Sequence, residues 1–212
     1  LYTDLISFLA LTAQDPGARN ELLRMAHAFT GFGRDRDDEA LYSDLYYAAL
    51  AVAVQDSDAR FLPHLIEFRG ELDDPIFESE SAYAIGRITD PDMLGTIHEL
   101  AVGEQLGPRE VFSMLSMALR EPEVRDQQWA WTRENFPDIV DRIPTQWRRH
   151  TPGMARTFCD QDKLTELNKL YDKYADLVPG YQRSLDQTEE QILLCIALHD
   201  KSKKLATAID TL

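Results

Sequence analysis

The stretch "IHELAV" at residues 97–102 differs by one residue from the His-Glu-x-x-His motif of zinc proteases, because Val102 occupies the position of the second His. In that motif two His side chains four residues apart lie on one helix face and bind the ion, while the Glu polarises a bound water. Glu121 lies at the spacing of a third ligand. Because Val102 cannot bind a metal, only His98 and Glu121 remain, whereas catalytic zinc takes three protein ligands. We therefore interpret the stretch as an ordinary helix whose apolar face is formed by Leu94, Ile97, Leu100 and Ala101.

The rest of the chain contains no other short catalytic motif. The histidines are too far apart in sequence to form a helical metal clamp. They are His27, His64, His98, His150 and His199. The chain also has no Gly-x-Ser-x-Gly elbow, Gly-rich phosphate loop or Cys-x-x-Cys pair, which removes the commonest nucleophile, nucleotide and redox signatures. We therefore predict no catalytic residue and no metal site in this chain, and the sequence does not identify substrate-binding residues.

An aromatic and basic group lies in the segment 129–149, and it permits two interpretations. Its members are Trp129, Trp131, Phe136, Trp147, Arg133, Arg148 and Arg149. The aromatic rings and guanidinium groups could hold a peptide by stacking and by pairing with its terminal carboxylate. Closely spaced Trp residues in a helical array more often anchor one helix pair against the next, and we favour that core role.

The two cysteines, Cys159 and Cys195, both have apolar neighbours in the sequence. This environment is more typical of buried free thiols than of a disulfide, and the sequence leaves open whether the two are reduced. Two such residues do not fix the cellular compartment, for which we lean to the cytoplasm.

The net charge of −15, from 37 acidic and 22 basic residues, limits the classes of partner. Such a chain repels phosphate backbones, which argues against general binding of nucleic acids or anionic membranes. No stretch approaches the roughly 20 apolar residues that span a membrane. We interpret most of the carboxylates as a solvated surface.

Prolines recur along the middle of the chain at intervals of 14 to 17 residues, as expected for one helix and one turn. They are Pro75, Pro91, Pro108, Pro122 and Pro137. Several of them follow an acidic residue, and an Asp before a first-turn Pro is a helix start because the carboxylate accepts from free backbone amides. We therefore expect starts at Asp15-Pro16, Asp74-Pro75, Asp90-Pro91 and Glu121-Pro122.

Between these starts the apolar residues keep helical spacing, and no strand pattern of any length occurs. Short connections make neighbouring helices pack antiparallel. The sequence thus predicts an all-α fold, a HEAT-like superhelical array of antiparallel helix pairs that forms a concave bowl. We assign residues 1–212 to one such repeat domain, with a loop at residues 31–40. Because the chain starts at Leu1 directly in an apolar periodic segment, we expect it to be part of a longer polypeptide, although a processed mature terminus would have the same appearance.

The C-terminal part ends in a long helix. Ser184 and Gln187 have capping-box spacing, so we expect the helix to begin there. The run from Ile192 to Leu198 is apolar on most sides, which predicts a helix buried against earlier pairs.

Several stretches, taken in order, resemble the C-terminal helical domain of zinc aminopeptidases related to aminopeptidase N and the endoplasmic-reticulum aminopeptidases. They are "AYAIGRITDPDMLGTIHELAVGEQLGPREVFSMLSMAL", "VRDQQWAWTRENFPDIVDRIP", "TFCDQDKLTELNKLY" and "RSLDQTEEQILLCIAL". The resemblance covers roughly residues 40–210 and is most specific at Trp129 to Phe136 and at Ser184 to Leu198.

This resemblance implies a function that the chain does not perform alone. In such enzymes the exopeptidase motif and the complete zinc motif belong to a preceding catalytic domain, so zinc is expected there and no cofactor is expected in this chain. The resemblance implies a bowl that closes over that catalytic domain and encloses the distal part of peptide substrates. The expected partners are the preceding catalytic domain of the same polypeptide and peptides. The alternatives are an independent HEAT-like adaptor for a protein partner and a metalloenzyme that uses His98 and Glu121.

Overall fold

The computed structural model describes the backbone of residues 2–210 and the side chains of residues 3–203. This part of the chain folds into twelve α-helices and contains no strand. The helices are α1 (Tyr2–Leu11), α2 (Pro16–Thr30), α3 (Tyr46–Asp56), α4 (Phe61–Glu71), α5 (Pro75–Ile85), α6 (Leu94–Val102), α7 (Pro108–Ala118), α8 (Arg125–Glu134), α9 (Phe136–Arg142), α10 (Thr145–Arg148), α11 (Gln161–Lys173) and α12 (Gln182–Asp210). Short 3-10 helices cover Ser43–Leu45, Pro91–Met93, Thr151–Ala155 and Ala175–Leu177. The all-α class is confirmed, and the superhelical bowl stays a prediction.

The Asp-Pro pairs begin helices through the expected chemistry. The carboxylate of Asp15 accepts from the amide of Ala18 at the start of α2. Asp74 caps α5 in the same way. Asp90 caps the 3-10 turn that leads into α6. Each pair satisfies backbone amides that have no partner inside the helix.

The expected helix start at Glu121-Pro122 is wrong, because α8 begins at Arg125. Residues 121–124 form a turn instead, in which the carbonyl of Glu121 accepts from the amides of Val124 and Arg125. The carboxylate of Glu121 is bound by Arg87 and does not cap a helix. A contact made elsewhere in the fold therefore replaces the local capping interaction.

The chain divides into two compact units, residues 1–128 and 129–212. The assignment of residues 1–212 to one continuous repeat domain stays a prediction. In the first unit α3 packs against α2 and α5, and α5 packs in turn against α7. Four rings from four successive helices meet in its core with centroids 5.2 to 5.8 Å apart. They are Phe29, Tyr46, Phe68 and Phe77.

Gly86 lets α5 and α7 approach closely at the end of α5. A Cβ at this position would lie 2.3 Å from the carbonyl oxygen of Met114 and 2.7 Å from the Cβ of Met117. Only glycine leaves room for the backbone of α7 here. The loop predicted at residues 31–40 is confirmed, since no helix or strand crosses it.

The second unit has its own aromatic core. Trp129 packs edge to face on Phe158, and Phe136 packs edge to face on Tyr171. The hydroxyl of the buried Tyr171 donates to Oγ1 of Thr151 over 2.8 Å. This hydrogen bond satisfies a phenol that would otherwise be costly to bury, and burial raises the pKa of Tyr171.

Two expectations for the last helix are wrong. α12 begins at Gln182, so Ser184 lies inside its first turn and does not cap it. The apolar run is also not buried, because Leu193, Leu194 and Leu198 are exposed. Among the described residues of α12, the buried ones are Thr188 and Ile192, which lie four residues apart on one narrow face. Within the described residues no helix combines the length and the apolarity that a membrane crossing requires.

Candidate functional site

The residues of the incomplete zinc motif lie in α6 and do not form a metal centre. Val102 is exposed, and the half-buried His98 has a lowered pKa because burial outweighs a hydrogen bond with Gln128. Glu121 is bound to Arg87. Among the described residues no group of three His, Cys, Asp or Glu side chains is placed to hold a metal ion. The described donor groups therefore do not fit a zinc site.

Glu121 belongs instead to a polar pocket of about 560 Å³ in the first unit. Nε of Arg87 donates to the carboxylate of Glu121, and both side chains are largely buried, with 15% and 9% of their surface exposed. A second ion pair lines the same pocket, where Arg19 donates to both carboxylate oxygens of Asp56 over 2.6 and 2.9 Å. The pKa of Glu121 is raised, chiefly because of burial, although Arg87 acts to lower it. Four charged side chains of the pocket are thus already paired, and Glu123 is the other charged residue of the lining.

The pocket is built from the ends of adjacent helices. Gln55 and Asp56 end α3, Arg87 follows α5 and Glu121 follows α7. Because α3, α5 and α7 lie side by side, their last residues meet at one edge of the unit. Nε2 of Gln55 donates to the carbonyl of Arg87 over 3.1 Å and joins the ends of α3 and α5. The pocket therefore depends on the packing of these three helices.

Two half-exposed tyrosines continue from this pocket along α3 and α5. Nη1 of Arg87 donates to the hydroxyl of Tyr47 over 2.8 Å, and the rings of Tyr47 and Tyr83 lie 6.3 Å apart, edge to face. Glu80 lies one helical turn before Tyr83 on α5. Burial raises the pKa of Glu80, and the charge of Arg109 opposes this shift without cancelling it. We call Tyr47, Tyr83 and Arg87 the tyrosine surface. It offers aromatic faces and hydrogen-bonding groups but no nucleophile paired with a base, so it can bind a ligand and is not arranged for catalysis.

The structure separates the aromatic and basic group of residues 129–149. Trp129 and Phe136 are buried, and Nε1 of Trp129 donates to Glu166 over 2.8 Å. The favoured core role is confirmed for these two residues. Trp131 is partly buried, whereas Trp147 is exposed.

The three arginines of this group also have different surroundings. Arg133 lies 3.4 Å from Glu166, and Nε of Arg148 donates to the carbonyl of Ile143 over 2.8 Å. Arg149 is exposed. The three arginines therefore do not share one environment, and the peptide-binding interpretation of the group stays a prediction.

The cysteines are not free thiols, which corrects the expectation from the sequence. Cys159 and Cys195 form a disulfide that joins the segment before α11 to α12. Both residues are only partly buried. Their apolar neighbours in sequence did not reveal the pairing, because the neighbours of Cys195 on α12 are themselves largely exposed.

Sequence reasoning missed most of the polar pocket because its residues are far apart in sequence. Arg87 and Glu121 are separated by 34 residues, and Arg19 and Asp56 by 37. No short motif connects such partners. The sequence signal that could have predicted the pocket is the repeated helix pattern, because adjacent helices of similar length bring their ends together at one edge of the unit.

Comparison with known proteins decides the family. The chain matches the ERAP1-like C-terminal domain family over residues 1–194. It belongs to this family. No curated protein matches the chain. The match covers every helix from α1 to α11 and the first part of α12, so it takes in all of the first compact unit and most of the second.

The chain is a C-terminal domain of the ERAP1-like aminopeptidase type, and the family indicates a parent peptidase. The resemblance to aminopeptidase C-terminal domains is thereby confirmed. The tyrosine surface and its polar pocket are a candidate for a ligand contact in the first unit.

Proposed function

We propose that this domain encloses the distal part of peptide substrates for a zinc-dependent aminopeptidase whose catalytic domain belongs to the same polypeptide. The domain binds peptide and performs no chemistry. The observation that carries the proposal is the match to the ERAP1-like C-terminal domain family over residues 1–194.

The tyrosine surface supports this role with suitable chemistry. Tyr47 and Tyr83 are partly exposed, so they can present aromatic surface to a ligand. The hydroxyl of Tyr47 accepts from Arg87 and still has its own proton to donate. Arg87 is held in place by Tyr47 and Glu121 before any ligand arrives. Side chains that are fixed in advance lose little conformational entropy on binding, which favours peptide affinity.

The zinc ion of the proposed enzyme would be held in the catalytic domain, since the donor groups in the described part of this chain do not fit it. When bound in a catalytic domain, zinc lowers the pKa of a water ligand and polarises the scissile carbonyl. The contribution of this domain is different. An enclosing wall excludes bulk water and orients the peptide, so that more of the binding energy is available at the reacting end.

Peptide length provides the experiment. The full polypeptide that contains this chain would be used, and kcat/KM would be measured for two substrates. One is a ten-residue peptide, and the other is an aminoacyl arylamide, which is too short to extend from the catalytic centre to this domain. We expect Tyr83→Ala to lower kcat/KM for the long peptide about three- to tenfold and to leave the arylamide unchanged. Tyr42→Ala is the matched control, since Tyr42 is an exposed tyrosine outside this surface.

The same measurements exclude the proposal if the outcome differs. Equal effects of Tyr83→Ala on both substrates would mean that the surface does not contact the peptide. A full polypeptide that binds no zinc and hydrolyses neither substrate would favour the alternative, an independent adaptor for a protein partner.

A further inference from the structure

The second unit contains a cationic hollow of about 430 Å³ whose lining includes no acidic residue. It is lined by Arg149, His150, Gly180, Arg183, Ser184 and Gln187. We call this the arginine hollow. It is unusual in a chain with a net charge of −15, because two guanidinium groups line one small space.

Neither guanidinium group is neutralised by the described part of the chain. Within the described residues, no carboxylate lies within ion-pair distance of Arg149 or Arg183, although Asp186 follows Arg183 by three residues on α12. Nε of Arg149 donates to Nε2 of His150 over 3.2 Å. That contact orients the arginine and leaves both Nη groups available to a ligand. By contrast, Arg19 and Arg87 in the first unit are each paired with a carboxylate.

Tyr171 holds the two sides of the arginine hollow in position. Thr151, which follows His150, accepts a hydrogen bond from the hydroxyl of Tyr171. Tyr181, which follows Gly180, stacks on the ring of Tyr171 with centroids 5.3 Å apart. One buried side chain therefore anchors both segments that carry the arginines. The hollow is preorganised, so binding does not have to bring the two segments together.

Gly180 lies in the arginine hollow just before the helix that carries Arg183. Its φ of +77° lies in the left-handed region, which glycine adopts without strain. This turn redirects the chain from Pro179 into α12 and places Arg183 and Ser184 in the first turn of that helix. Because glycine has no side chain, the space next to Gly180 stays open to a ligand.

We propose that the arginine hollow binds the phosphate group of a small soluble molecule. The lining offers donors from two guanidinium groups, a hydroxyl and an amide, which match the several acceptor oxygens of a dianionic phosphate. A carboxylate has only two oxygens and cannot satisfy as many donors. The volume exceeds that of a phosphate ion, so a phosphate monoester fits as well as inorganic phosphate. This binding is independent of the proposed peptide-enclosing role, which concerns the first unit.

Titration calorimetry at constant ionic strength tests the proposal on the complete chain. The probes are inorganic phosphate, glycerol 3-phosphate and succinate, which is a dicarboxylate of similar charge. We expect both phosphates to bind at one site, and succinate to bind at least tenfold more weakly. Glycerol 3-phosphate that binds more tightly than inorganic phosphate would identify a monoester as the preferred source. Equal affinity for the two phosphates would identify the free ion as sufficient.

Variants locate the binding site. Arg149→Gln and Arg183→Gln should each weaken phosphate binding about tenfold or more. Arg156→Gln is the matched control, because Arg156 is an exposed arginine of the same unit that does not line the hollow. Thermal unfolding without ligand should be the same for all three variants, since the three side chains are exposed. Equal binding of succinate and phosphate, or affinity that is unchanged in both hollow variants, would overturn the proposal.

Discussion

Arg87 and Glu121 form an ion pair that joins the ends of α5 and α7, with most of both side chains buried. Glu121 is the residue whose spacing from His98 imitates a zinc ligand. Its carboxylate is bound within the fold, so the role is structural. Removing water from two charges is costly, and the pair offsets that cost only while both members are present.

The first prediction concerns this pair. Glu121→Gln leaves Arg87 buried without a counter-charge, so we expect a loss of about 3 to 5 kcal/mol of unfolding free energy. Arg87→Met should cost a similar amount. The double variant Arg87→Met with Glu121→Gln should cost clearly less than the sum of the two single variants, because it leaves no unpaired buried charge. Urea unfolding of the four proteins measures this coupling.

An exposed ion pair serves as the control for that experiment. Arg60 and Asp58 lie on the surface at 2.7 Å. We expect Asp58→Asn to leave the urea midpoint nearly unchanged, since exposed pairs contribute little. Additive costs at Arg87 and Glu121 would show that the two side chains do not act as a pair.

The second prediction concerns the close approach of α5 and α7 at Gly86. A methyl group there would overlap the carbonyl oxygen of Met114, which is backbone and cannot rotate away. We expect Gly86→Ala to destabilise the chain by about 1 to 3 kcal/mol. The control is Gly95→Ala in α6, where a Cβ meets no atom within 4 Å. That change should stabilise the helix by about 0.5 to 1 kcal/mol. Urea midpoints that shift in the same direction for both variants would contradict the steric explanation.

The fold was predictable where local chemistry decides it. Asp15 and Asp74 start helices because a carboxylate next to a first-turn proline caps free amides, and this interaction spans only a few residues. The same rule failed at Glu121, because Arg87 binds its carboxylate from a distance of 34 residues in sequence. Local spacing describes which interactions are available, and the packed chain selects among them.

The candidate sites were less predictable than the helices. Arg149 stood out in the sequence beside Trp147, but its partner in the arginine hollow, Arg183, lies beyond α11. Cys159 and Cys195 are likewise 36 residues apart, and their apolar neighbours suggested free thiols. Periodicity identifies the helices, whereas the contacts between distant segments depend on how those helices pack.

The third prediction is a pH dependence that arises from His27. Nε2 of His27 lies 2.7 Å from Oγ of Ser57, and its ring packs against Phe32. Burial lowers its pKa, with smaller contributions from Asp58, which raises it, and from His64 and Arg34, which lower it. The unfolded chain therefore binds a proton more readily than the folded one at a pH just below the ordinary His pKa of about 6.5. The contribution of neutral His27 to the free energy of unfolding is therefore fully present above the ordinary His pKa. It is lost as the pH falls from there through the lowered pKa of the folded state.

Unfolding free energies at several pH values between 5 and 8 test this dependence. His27→Gln keeps a hydrogen-bonding group for Ser57 but does not titrate, so its stability should decrease less between pH 7 and pH 5 than that of the unmodified chain. Part of the dependence should persist, because burial also lowers the pKa of His98. His199→Gln is the control, since His199 is exposed on α12. A pH profile that is identical with and without His27 would rule out its contribution.

The last prediction concerns the disulfide between Cys159 and Cys195, which closes a loop of 36 residues around α11. In the chain-entropy description, opening such a loop costs roughly 3 to 4 kcal/mol, because the unfolded chain gains freedom. Reductant should therefore lower the urea midpoint of the unmodified chain. The double variant Cys159→Ser with Cys195→Ser should unfold at that lower midpoint both with and without reductant. Alkylation in urea without reductant should label no cysteine. Labelling of both cysteines in that assay would contradict the disulfide and support the free thiols expected from the sequence.

The disulfide also bears on the cellular compartment. Because structural disulfides are rare in the cytosol, a confirmed bond would argue against the cytoplasmic location favoured by the sequence.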